Sequence, residues 1–181
     1  MIRNISQWVR TLRRARKSEN GSASVEFVIL FVPFMLVCLS SVEAGVMMTR
    51  HMMLERGVDM AVRQVRLGNY DPITNDKLKQ LVCEGASIIP DCLSVTKVEM
   101  KRMDPFNWVN LAGRADCVDI DDAGAPLRTF ENGITNDIMV IRVCSLFKPF
   151  FPQTGLGFQL PRESGDFYAL VSTSAFVMEP Q

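Results

Sequence analysis

The residues of this 181-residue chain whose types could carry chemistry are five cysteines, one histidine and a run of aspartates. Cys38 lies within an apolar run and reads as a free packing residue. Cys83, Cys92, Cys117 and Cys144 lie beyond it. An even number of cysteines in an oxidising compartment suggests disulfides, and four of them allow three connectivities. Cys83–Cys92 is favoured, because it ties a short helix to a first strand across Gly85 and Pro90. That leaves Cys117–Cys144 to join two strands. The spacings match neither paired Cys-x-x-Cys zinc ligands nor a redox-active Cys-x-x-Cys.

The acids Asp116, Asp119, Asp121 and Asp122 invite calcium, but the spacing of an EF-hand loop is absent. They read as solvated turn carboxylates. His51 has no cysteine or carboxylate cluster beside it and is assigned no chemistry. Met47, Met48, Met52, Met53 and Met60 read as adaptable packing rather than as a metal box. The sequence has no phosphate loop, no Gly-x-Ser-x-Gly elbow and no promising Cys/His pair. The expectation is no catalytic residue, no metal and no cofactor: a component of an assembly, not an enzyme.

Charge says where such a component would sit. The formal net charge is zero, but it is unevenly spread. Residues 1–21 hold six basic residues (Arg3, Arg10, Arg13, Arg14, Arg16, Lys17) against Glu19 alone, so the head carries +5 and the remainder −5. An apolar run follows at once, which argues against nucleic acid as a partner. Phe27 to Val42 is sixteen residues without a charge. A membrane span needs roughly 20 residues, and the small and apolar residues on either side make up the length while admitting Glu26 and Glu43. Basic residues beside a span stay on the cytoplasmic side, which sends the C-terminal body out. Ile5, Trp8, Val9 and Leu12 recur at helical spacing within the basic head. They suit either an amphipathic helix on an anionic membrane surface or a disordered leader.

Three export readings compete for this N-terminus. A signal peptide could be cut at Val42-Glu43-Ala44, although the apolar stretch is long and Glu26 interrupts its head. A mitochondrial presequence is also Arg-rich, but a span directly behind it is uneconomical. The third reading takes the junction Gly21-Ser22-Ala23-Ser24-Val25-Glu26-Phe27 as the signal. This junction resembles the processing site of type IV prepilins and pseudopilins: a basic leader, a glycine, then a glutamate at the head of an apolar helix. The Val-Glu-Phe form, the leader length and Pro33 resemble the TadE-type pseudopilins of tight-adherence (Tad/Flp) pilus systems. Ala61-Val-Arg-Gln-Val-Arg66 resembles the end of the long TadE helix. Cys144-Ser-Leu-Phe-Lys-Pro-Phe-Phe-Pro152 and Ala175-Phe-Val-Met-Glu179 resemble the C-terminal pattern, a layout that TadF proteins share. Residues 100–137 carry no quotable resemblance to the family.

The resemblance implies cleavage by a prepilin peptidase between Gly21 and Ser22, with Glu26, Phe27 and Pro33 serving assembly and recognition. Cleavage would create an α-amino group on Ser22, about one helical turn from Glu26. An ammonium and a carboxylate that are both costly in lipid can neutralise each other, within a chain or between neighbours. The implied partners are the peptidase, other pilins and pseudopilins of the machine, and inner-membrane lipid.

The elements that must position these residues follow from periodicity. A helix is predicted from Ser22 to about Leu67, with the span at about 24–48 and Pro33 able to kink it. Val58, Ala61, Val62 and Val65 form an apolar stripe, and Gly68-Asn69 a stop. A short helix is predicted from Thr74 or Asn75 to Glu84. Strands are predicted at Leu93–Met100, Ala115–Ile120, Ile138–Leu146 and Asp166–Met178. The segment 147–165 mixes Phe147, Phe150, Phe151, Leu156, Phe158 and Leu160 with three prolines and three glycines. Such a loop either folds over the core or faces a partner or lipid surface. The fold class is α+β, an antiparallel sheet packed on the upper long helix. The units are a basic leader 1–21, a long helix 22–68 and an exported head 69–181. The expected function is that of a minor pseudopilin in Tad pilus assembly or initiation, supporting surface adhesion, single-pass in the bacterial inner membrane with its head in the periplasm. The alternative is an unprocessed or signal-cleaved, membrane-anchored periplasmic binding module.

Overall fold

The computed structural model describes residues 22–70, 72–107, 113–120 and 129–180. The basic leader, Gly21, Asp121 and Asp122 lie outside the described residues.

Helix α1 spans Ser22–Arg66, 45 residues. At about 1.5 Å per residue it is roughly 68 Å long. Arg63 and Arg66 sit in its last turn, where cations suit the helix dipole. Gly68 ends it in the left-handed conformation (φ 68°), which lets its amide reach the Val65 carbonyl. The helix runs on through Pro33. Its two halves differ in surroundings: Ala23–Val37 is exposed throughout, while Leu54, Val58, Ala61, Val62 and Val65 are buried in the core of the head.

Helix α2 spans Asn75–Gly85 and is capped by the Thr74 hydroxyl, which accepts from the Lys77 amide. It buries Leu78, Leu81 and Val82 against α1. The approach is close. A Cβ on Gly57 would stand 2.4 Å from the Val82 carbonyl oxygen, and one on Gly85 would stand 2.7 Å from Gly57 Cα.

The first expected strand, Leu93–Met100, is displaced by three residues at each end. Residues Cys92–Val95 form a helical turn, α3, and strand β1 begins only at Thr96, running Thr96–Met103. The reason is local. Asp91 is left-handed (φ 49°), its carbonyl accepts from the Ser94 amide and hydroxyl, and the Cys83–Cys92 disulfide holds the turn against α2. Strand β2 spans Ile138–Phe147 and β3 Tyr168–Val177. Between them Gly155–Gln159 forms a short helix, α4, in a segment expected to be irregular.

The sheet is antiparallel in the order β1-β2-β3. Val98, Met100, Met139, Ile141, Val143, Phe147, Tyr168, Leu170 and Phe176 point from it toward the helices. The central strand is buried along nearly its whole length on both faces, as its near-continuous apolar run requires. The segment 113–120 helps cover the second face.

That cover is a second correction. Ala115–Ile120 forms no strand. Side chains take the backbone bonds a sheet partner would have taken: the Asp116 amide donates to Glu99 at 3.1 Å and the Ile120 amide to Ser164 Oγ at 3.0 Å. The Cys117–Cys144 disulfide fastens the segment to β2. Nor is Asp116 a solvated carboxylate. It is 5% exposed and lies 3.2 Å from Lys97 Nζ, beside the buried Glu99–Arg142 pair at 2.7 Å.

Candidate functional site

Two places matter: the head of α1, and the seam where α1 leaves its exposed half and meets the head domain. At the first, Ser22 is the first residue of the helix. Glu26 and Phe27 lie on its exposed first turns, and the Phe27 and Phe31 rings stack at 5.1 Å. Pro33 lies on the same exposed stretch. The arrangement is a bare apolar rod with one carboxylate near its start.

At the seam, the segment after β2 descends along α1. Arg50 marks the top. Its guanidinium donates to the Lys148 carbonyl at 3.1 Å, approaches the Tyr168 hydroxyl at 3.5 Å, and stacks 5.2 Å from the Phe147 ring centre. Two helical turns lower, Glu43 accepts from the Phe150 amide at 3.0 Å and the Phe151 amide at 2.9 Å, one with each carboxylate oxygen. Lower still, α4 reaches Ser40 and Leu36. A Cβ on Gly155 would stand 2.3 Å from Ser40 Oγ, and Gly155 is left-handed (φ 53°). Glycine therefore serves both the backbone shape and the close approach.

The electrostatics are local. Burial pushes the Tyr168 phenol above its ordinary value, and the neighbouring Glu43 charge pushes the same way, while Arg50 opposes both. On α2, burial lowers the Lys79 ammonium.

The structure forms both favoured disulfides, with Cα separations of 5.7 Å for Cys83–Cys92 and 5.2 Å for Cys117–Cys144, and leaves Cys38 free. It does not bring the helix-head residues Glu26, Phe27 and Pro33 near the head. His51 is used structurally: Nε2 lies 3.3 Å from the Val171 carbonyl and Nδ1 3.5 Å from Glu55. Among the described residues no group of three or more His, Cys, Asp or Glu is placed to hold a metal ion. Met48, Met52 and Met60 face outward, and Met47 packs against the core.

In the sequence Glu43 stands only as an interruption in the apolar run, and Arg50 carries no signal of its own. A signal for Glu43 existed. A carboxylate that ends up buried among apolar residues requires donors, and a proline-broken segment offers amides free of ladder duty.

Helix α1 is long and apolar enough to cross a membrane, and none of its most apolar window is buried by the head. Residues 21–63 match the family of TadE-like proteins. The TadE-like segment thus holds the helix head, the bare rod and the seam residues Glu43 and Arg50, and stops short of the sheet. No curated protein and no solved structure matches the chain.

Proposed function

We propose that this protein is a minor pseudopilin of a tight-adherence (Tad/Flp) pilus machine. The observation that carries the reading is the TadE-like match at residues 21–63, on a segment that begins as a helix at Ser22 and stays bare for its first four turns. In this reading a prepilin peptidase removes residues 1–21. The lower half of α1 then spans the inner membrane, with the leader side cytoplasmic and the head periplasmic. There it initiates, caps or supports filament assembly with other pilins and so serves surface adhesion. The protein catalyses nothing itself.

The geometry weighs against signal cleavage near Val42–Ala44. That site lies inside α1, and a product starting at Gly45 would lack Glu43 and strand the Phe150 and Phe151 amides. The test is the mass of the protein recovered from membranes. Loss of residues 1–21 supports the proposal; a product starting at Gly45 indicates a secreted module, and an intact chain a permanent anchor. A second measurement addresses assembly. Glu26→Gln and Glu26→Leu should both insert and be processed, yet co-purify less with other pilins. Undiminished association in both variants would remove Glu26 from the assembly role.

A further inference from the structure

We propose that the tip of the 147–160 segment is a second membrane contact, inserted in the lipid interface beside the helix on the leaflet where the head emerges. The inference rests on α1 being a membrane span.

The argument begins with length. A hydrocarbon core of about 30 Å needs about 20 helical residues. Only Ala23–Val37, fifteen residues, is bare all round, which is about 22 Å. If the whole head stood outside the bilayer, the span would fall short by about 8 Å. Counting 20 residues from Phe27, just after Glu26, ends the span near Val46. Gly155 packs on α1 at Ser40 and Leu36. That is at least six residues short of Val46, or about 9 Å inside the boundary. Amphipathic elements bury to about 5–10 Å at such interfaces. The tip is therefore at the right depth, and its surface fits. Phe150 is 63% exposed and Phe158 67%, although both belong to a packed segment. Between Phe150, Ile88 and α1 an open groove of about 500 Å³, lined also by Val42 and Val46, continues the apolar surface upward to Arg50.

The polar groups at this depth are provided for. Glu43 is 1% exposed and both its oxygens take backbone amides, so it can sit below the boundary without facing lipid. Arg50, two turns above Glu43, and Lys148 beside it lie at the level of lipid headgroups, which long basic side chains near the end of a span can reach. The sequence of groups along the seam is therefore that of an interface: aromatic tip, satisfied carboxylate, cations.

The test uses the full chain in nanodiscs holding one copy each, with Trp8 and Trp108 replaced by Phe. One tryptophan is then placed at Phe158, Val32 or Ile134. Ile134 lies at the opposite end of the head, near Met178 and the Arg66–Glu179 pair. Quenchers are lipids brominated on the acyl chains and aqueous acrylamide. Phe158→Trp should be quenched by brominated lipid, as Val32→Trp is, and several-fold less by acrylamide than Ile134→Trp. Quenching by acrylamide to the extent of Ile134→Trp, with Val32→Trp still in lipid, would overturn the inference and leave the span standing; the bilayer would then thin around a short helix. Protection of Phe158→Trp from both quenchers would mean that protein covers the tip, and would also overturn it. Absence of lipid quenching at Val32→Trp would remove the span itself, and the inference with it.

Discussion

Glu43 and Phe150 stand 107 positions apart in the chain, and one carboxylate oxygen of the first accepts the backbone amide of the second at 3.0 Å. The other oxygen takes the next amide, Phe151, at 2.9 Å. This two-pronged contact pins the descending segment to α1. Glu43→Ala leaves two amides without acceptors, at about 1–3 kcal/mol for a buried unsatisfied group. Glu43→Gln keeps one acceptor but turns an amide donor toward the second N–H. Hydrogen exchange should therefore rise at Phe150 and Phe151 in both variants, more in Ala, with β2 protection unchanged. Unaltered exchange at both amides would show that packing at Gly155 and Ser40 alone holds the segment.

The contact of α1 with α2 rests on absent side chains. Gly57→Ala would drive a Cβ to 2.4 Å from the Val82 carbonyl oxygen, which is backbone and cannot rotate away. The helices must separate, and overpacking of this kind costs typically about 1–3 kcal/mol. Gly45→Ala is the control, since nothing lies within 4 Å of that position and alanine favours helix. Denaturation should show Gly57→Ala destabilised and Gly45→Ala equal to or slightly above the parent.

Much of this was legible in the residues. The Val58–Val65 stripe is buried as its spacing required, and α2, β2 and β3 end within two residues of their expected bounds. Those elements carry their information locally, in period, caps and breakers. The start of the first strand is not legible in the sequence, because a left-handed Asp91 and a disulfide decide it, and neither has a periodic signature. Ala115–Ile120 has β-branched residues but earns its place through Glu99, Ser164 and Cys144, all distant in sequence. The seam was the least visible part. Its donors are backbone amides, which every residue but proline has, so only the isolated charge of Glu43 marks it.

The two disulfides should differ in what they contribute. Cys117 and Cys144 are 27 positions apart, Cys83 and Cys92 nine. On loop-closure entropy the longer loop stabilises by about 3–4 kcal/mol and the shorter by about 2–3. Replacing each pair by alanine and measuring urea midpoints checks the order. The 117/144 variant should also lose exchange protection in residues 113–120, since the bond fastens that segment to the sheet.

Glu99 and Arg142 form a buried pair between β1 and β2 at 2.7 Å, with the Asp116 amide and the Arg114 carbonyl completing it. Removing one partner of such a pair typically costs about 3–5 kcal/mol, because a charge is left buried. Arg142→Met and Glu99→Met should each be strongly destabilised. The double variant should recover much of the loss, as two apolar residues need no partners. A double variant no better than the singles would mean that the Asp116 and Arg114 backbone bonds, not the ion pair, hold this face together.

Tyr168 makes the stability of the head depend on pH in the alkaline range. Burial, aided by Glu43, raises its phenol above the ordinary value near 10, and Arg50 only partly offsets the rise. The folded state thus holds the proton more tightly than the unfolded chain. Below about pH 10 both states are protonated and the group contributes no slope. As pH rises past the unfolded value, the unfolded chain gives up its proton first, so stability falls until the folded value is passed. Tyr168→Phe removes a titrating group but keeps the ring beside Phe147, where the centroids lie 6.0 Å apart. The stability difference between Tyr168→Phe and the parent should therefore shift in favour of the variant between pH 9 and the folded-state value. Arg50→Gln should move the phenol higher still, because it deletes the only one of these influences that lowers it. Absorbance titration of the chain, which has two tyrosines, reads both effects directly. The step that vanishes in Tyr168→Phe should lie above the ordinary phenol value in the parent and later again in Arg50→Gln. A vanished step at the ordinary value would show that water reaches the hydroxyl or that Arg50 offsets the burial in full.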